Sequence, residues 1–129
     1  MFDAFLVPEN TMISAKGDGE AVDISSVPNR TFLLLLSITD VIEQESLDVS
    51  VWGSPDGNTW GAKPLASFPQ KFHRGEYPLL LDLIGRDVKT IRAHWEVNRW
   101  GRGSETPKFT FSVKATEVAS ELLQDSASR

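Results

Sequence analysis

The sequence predicts an all-β protein: an antiparallel β-sandwich of about seven or eight strands, jelly-roll-like in topology, with a short C-terminal helix. Three observations carry this. Apolar and polar residues alternate with a period of two along several segments, where helical spacing is almost absent. Short apolar runs are separated by clusters of Gly, Pro, Asn and Asp. The chain has 129 residues, enough for one core, since domains cluster near ~100–150 residues. With 40% hydrophobic and 24% charged residues, it lies away from the composition of disordered chains.

Taken in order, residues 1 to 10 form an apolar arm in which Phe2, Phe5, Leu6 and Val7 are too apolar to stay in water. Weak strands are expected from Met12 to Ala15 and from Ala21 to Ile24, joined by the turn Lys16-Gly17-Asp18-Gly19. The run FLLLLSI, residues 32 to 38, is apolar on both sides and reads as a central strand, with Pro28 upstream. In LDVSVW, Leu47, Val49 and Val51 point inward and Trp52 falls on the polar side. Residues 61 to 78 hold three prolines and two glycines and read as a long connection between sheets. LLLDLI, residues 79 to 84, reads as a second central strand. IRAHWEV places Ile91, Ala93, Trp95 and Val97 against Arg92, His94 and Glu96, and FTFSVKA places Phe109, Phe111, Val113 and Ala115 against Thr110, Ser112 and Lys114. The end, residues 117 to 129, suits a short amphipathic helix around Val118 and Leu122 with a Ser-rich tail. The sandwich itself spans 11 to 116.

The stretch LDVSVWGSPDGNTW is the most informative. A strand runs into Ser54-Pro55-Asp56-Gly57-Asn58-Thr59, with Trp60 directly after, and Asp-Gly is a strong hairpin signal. This stretch resembles the strand–turn–Trp element of discoidin-like, galactose-binding-type jelly rolls, and KTIRAHW, residues 89 to 95, resembles a later strand of such domains that carries an arginine. It also looks like a shortened Asp-box, although Asp56 and Gly57 are adjacent, which breaks that spacing. The resemblance implies a jelly-roll sandwich. In such families ligands sit on loops at one end, so it assigns no binding residue here.

Several function classes find no support. The net charge is −5, whereas a nucleic-acid binder needs a basic surface. There is no cysteine, which removes disulfides, thiolate metal sites and thiol nucleophiles. Either His73 or His94 can in principle serve a serine nucleophile, yet neither a G-x-S-x-G elbow nor a phosphate-binding glycine loop frames one. His94 and Glu96 share one strand face and can chelate, with Asp82 as a third ligand; the alternative is a charge ladder in which Arg92 and Glu96 pair across strands. Carboxylates at Asp18, Glu20, Asp23 and Asp56 raise calcium without forming a complete ligand loop. The expectation is a non-enzyme without cofactor or metal. MFDAFLVPEN lacks a basic leader and no window reaches the length of a membrane helix, so residence in the cytoplasm or within an assembled particle is expected.

Two readings remain. The first is a structural, self-associating subunit, a homo-oligomer. Residues 1 to 60 carry ten acids against Lys16 and Arg30, and the remainder carries eleven bases against eight acids. Opposite halves can meet between copies, with Arg99, Arg102 and Lys108 facing Glu43 and Glu45, or neutralise each other within one chain. The Phe2 and Phe5 arm can dock on a neighbour or cover its own sheet edge. Small cysteine-free sandwiches of this kind also occur among phage-type head, neck and tail components, so a virion-like or filamentous particle is a setting by analogy of fold alone. The second reading is a carbohydrate-binding module. Trp52, Trp60 and Trp100 fall on turns or polar strand faces, and NRWGRG sets Trp100 between Arg99 and Arg102; the competing reading is that arginine merely covers the ring.

Overall fold

A computed structural model describes residues 2–13, 16–41, 45–70, 74–99 and 109–119. Among the described residues there are nine strands and no helix: β1 (Asp3–Ile13), β2 (Gly17–Asp18), β3 (Val22–Asp23), β4 (Thr31–Val41), β5 (Glu45–Ser54), β6 (Ala66–Ser67), β7 (Gly75–Asp82), β8 (Thr90–Arg99) and β9 (Phe109–Glu117). They make two antiparallel sheets packed as a sandwich. The first has the order β1-β9-β4-β7. The second runs β2-β8-β5-β6, and β3 also pairs with β8.

The pleat explains why the sheets face each other as they do. Successive side chains point to opposite sides of a strand, so Phe32, Leu34, Leu36 and Ile38 of β4 join Phe109, Phe111, Val113 and Ala115 of β9 on one inner face. Leu47, Val49 and Val51 of β5 join Ile91, Ala93 and Trp95 of β8 on the other. All are buried in one continuous core. Trp95 bridges the layers, its ring meeting Phe111 edge-on at 5.6 Å, a favoured aromatic geometry.

Local irregularities shape the edges. In β1 the pairing with β9 shifts between Phe5 and Val7 and again before Thr11. The first bulge turns two successive residues, Leu6 and Val7, into the core. Asn10 takes a left-handed conformation, φ 62°, which Asn tolerates better than most residues. Opposite, Gly19 passes so close to β1 that an added Cβ would sit 2.4 Å from the Leu6 carbonyl oxygen. At the end of β9, the buried Glu117 carboxylate accepts hydrogen bonds from the Phe2 N–H at 2.8 Å, the Asn29 N–H at 3.1 Å and the Asn29 side-chain amide. These donors, the Phe2 amide foremost, hold its carboxyl below the ordinary range.

Several expectations are refined. The apolar segment at the N-terminus is a strand of the sandwich, and it covers the edge of β9. Gly17 and Asp18 are not a turn: they pair with Trp95 and His94 of β8. Of the two runs that are apolar on both sides, β4 is interior to its sheet, but Leu79 to Asp82 of LLLDLI close the edge strand β7 and Leu83 and Ile84 fall beyond its end. A helix starting at Glu117 is excluded because that residue closes β9 and the next amide, Val118, donates to Thr31 O at 2.9 Å. Residues 120 to 129 lie outside the described residues.

Truncating the ring that links the layers tests this packing. Phe111→Ala is expected to cost about 3–5 kcal/mol in denaturant unfolding, the usual range for a fully buried phenylalanine; a loss below about 1 kcal/mol would contradict the core assignment.

Candidate functional site

The residues with chemistry gather on the outward face of the β5–β8 sheet. Because inward positions on β8 are Ile91, Ala93 and Trp95, the intervening Arg92, His94 and Glu96 must point outward. On β5 the same logic turns Asp48, Ser50 and Trp52 outward, and the register sets Trp52 opposite Arg92 and Ser50 opposite His94. β2 supplies Asp18, the cross-strand neighbour of His94.

The turn after β5 brings the second tryptophan. Ser54 Oγ is buried and accepts from the Gly57 N–H at 2.8 Å and the Asp56 N–H at 3.3 Å, while donating to Asp56 Oδ1 at 3.0 Å. Asp56 Oδ1 in turn accepts from the N–H groups of Asn58 and Thr59, both at 2.8 Å. Gly57 adopts φ 84°, which a side chain would strain. The Thr59 and Asn58 amides stabilise the carboxylate, lowering the Asp56 pKa from 3.8 to about 2. This knotted turn leads Trp60 back across the sheet, where the Arg92 guanidinium lies 4.1 Å from its ring centre, a cation–π stack.

The rest of the cluster is pinned in the same way. His94 Nδ1 is 2.8 Å from Asp18 Oδ1, and its other nitrogen is 3.7 Å from Glu96 Oε2. The Trp52 N–H donates to Ser50 Oγ at 3.0 Å, and its ring stands edge-on to His94 with centroids 6.4 Å apart. Asp18, Trp52, Trp60, Arg92 and His94 line a groove of about 290 Å³.

Comparison with family models, curated proteins and solved structures gives no match.

The structure separates the residues singled out from the sequence. Trp52 and Trp60 come together on the face just described. Phe5 lies on the opposite outer face of the sandwich, 39% exposed, under the Lys114 ammonium. Phe2 packs edge-on against Phe32 at 5.8 Å and belongs with the core. Glu45 and Arg99 are cross-strand partners at one end of the β5–β8 pair. Glu43, Trp100 and Arg102 lie outside the described residues, as do His73 and Lys108. Asp82 caps the end of β7 in the other sheet, accepting from the Ile84 N–H at 3.0 Å, so it does not join His94 and Glu96. Among the described residues no group of three or more His, Asp or Glu is arranged to hold a metal ion.

On the outward face of the first sheet the sequence marks Phe5 alone. Leu33 and Leu80 stand opposite each other in register and are 43% and 56% exposed. The next row holds Phe5, Lys114, Leu35 and Pro78. The signal was the two-sided apolarity of β4 and β7, which sequence alone reads as complete burial.

The Asp56 turn gives a pH test with a defined sign. A carboxyl whose folded pKa lies below its unfolded value adds stability above the unfolded pKa and loses it as pH falls through the folded one. An NMR titration should therefore find the Asp56 carboxyl midpoint near 2, and its contribution should fade between pH 3.8 and about 2. A midpoint at or above 3.8 would show that the turn is not formed in solution.

Proposed function

We propose that the protein is a non-enzymatic structural subunit that associates with copies of itself through the outward face of the β1-β9-β4-β7 sheet. The observation that carries this reading is the aliphatic row on that face. Antiparallel sheets with one solvated side normally alternate apolar-in and polar-out. β4 and β7 break that rule together, so Leu33 and Leu80 meet on the outer side with Leu35, Pro78 and Phe5 alongside. Lys114 stands between Phe5 and Leu35, so the apolar patch itself is Leu33, Leu35, Pro78 and Leu80, and exposed apolar surface of this kind marks an interaction site.

A second copy is the occupant proposed, because a two-fold axis through the row lays the same aliphatic surface against itself. Association by the sheet edges is less favoured. β7 carries Pro78, which cannot donate to a further strand, and β1 is bulged twice. Charge adds little, because the acidic and basic parts of the chain already meet inside one molecule: Asp3 pairs with Lys114 at 3.3 Å and Asp18 with Arg92 at 3.9 Å.

Connectivity supports a jelly roll as the finer description of the sandwich. If β2 and β3 are counted as one interrupted strand, the two sheets interleave as in eight-strand jelly rolls, an architecture shared by capsid and lectin domains. A virion-like or filamentous particle is accordingly the setting proposed, on analogy of fold alone.

Light scattering across a concentration series is the test. The wild-type chain should form a dimer or larger species, and Leu33→Glu or Leu80→Lys should each shift it to monomer. Both side chains point to solvent, so the thermal stability of the monomer should change by no more than about 0.5 kcal/mol. A wild-type chain that stays monomeric at every concentration sinks the reading.

A further inference from the structure

The opposite face of the sandwich carries different chemistry. Beside the groove of about 290 Å³ between Trp52 and Trp60 lies a second depression of about 330 Å³, reaching over Asp48, Ser50 and Glu96 to Phe68. Trp52 and His94 line both. Each is near the lower end of the size of small-ligand pockets, ~300 Å³. We propose that this double groove binds a neutral oligosaccharide, with one pyranose ring against Trp60 and the next beyond the Trp52–His94 wall.

Three features of the groove select that ligand. A pyranose has an apolar face of C–H groups and a rim of hydroxyls, and the groove offers half-buried indoles beside carboxylates and a guanidinium. Its charges are unsuited to anions: among the described lining residues the carboxylates of Asp18, Asp48 and Glu96 outnumber the guanidinium of Arg92, which Asp18 faces at 3.9 Å. A quaternary ammonium beside Trp60 would meet the like charge of Arg92, whose guanidinium lies 4.1 Å from the ring centre. A neutral polyol is left: its hydroxyls donate to the carboxylates and accept from Arg92.

The groove is also held in shape before any ligand arrives. Trp52 is tied to Ser50, His94 to Asp18, and Trp60 is stacked under Arg92. Fixed side chains lose little freedom on binding, which favours affinity. Among the described residues Arg92 Nε is buried without a hydrogen-bond acceptor, the Asp18 carboxylate standing 3.9 Å away, so a ligand hydroxyl can accept from it.

The intact protein applied to an array of neutral gluco-, galacto- and manno-oligosaccharides, sialylated and uronate oligomers, and phosphocholine tests the proposal. Saturable binding to a neutral set is expected, weakened about tenfold by Trp60→Ala and again by Glu96→Ala, with thermal unfolding unchanged in the latter. Glu96 is more than half exposed, 57% at its side chain, so its truncation leaves the fold intact even if Trp60→Ala does not. Absence of neutral binding, binding confined to acidic glycans or phosphocholine, or neutral binding that survives both substitutions would overturn it. Leu33→Glu should bind the same sugars as the wild type, which separates this groove from the association face.

Discussion

Burial of alternate side chains between the β4–β9 pair and the β5–β8 pair is the constraint on which the rest of the molecule depends. Once Leu34, Leu36, Phe111 and Val113 face Val49, Val51, Ala93 and Trp95, every intervening residue on those strands is committed to an outer face. A slip of one residue in any pairing would expose the core set and bury Arg92, His94 or Lys114. The outward clusters are consequences of the core register and not separate inventions of the loops. Trp60 alone among the groove's aromatic residues needs more, and the Ser54–Asp56–Gly57 hydrogen-bonded turn supplies it.

The two outer faces differ because their central strands differ. β8 alternates strictly, so its outer positions are Arg92, His94 and Glu96, groups that interact well with water and with hydroxyl-bearing ligands. β4 offers Leu33 and Leu35 where a solvated strand would carry polar residues. Between the faces, the perimeter is closed mainly by backbone and polar contacts. Glu117 binds the chain start and the loop before β4 to the end of β9, and Arg30 donates to the carbonyls of Ile24 and Val88. Those contacts tie the loops to the strand ends, while the outer edges of β1 and β7 are guarded by the bulges and by Pro78.

Legibility in the sequence followed from how local each feature is. The inward sets of β5, β8 and β9 were readable because period-two alternation is a property of one strand at a time. The hairpin-like turn at Asp56-Gly57 was readable for the same reason. Pairings were not. Gly17 and Asp18 have turn chemistry, and only the tertiary contact with Trp95 and His94 makes them a strand. The N-terminal segment reads as an arm that docks on a neighbour or covers its own sheet edge, and only its bulged pairing with β9 decides for the edge. Trp52 was correctly turned outward, but its meeting with Trp60 required knowing that the chain folds back after Thr59.

The strands apolar on both sides mark the limit of such reading. A continuous apolar run states that both faces avoid water without saying what covers them. For a central strand in a three-layer fold the cover is another part of the same chain; for β4 the described residues provide a core on one side only, and Leu33 remains 43% exposed. Leu80 across from it sits on an edge strand, where the usual devices against association are charges and proline. β7 has the proline, at Pro78, and on its outward face the leucine as well. That combination disfavours strand addition along the edge while leaving the face apolar, in keeping with the face-to-face association proposed above.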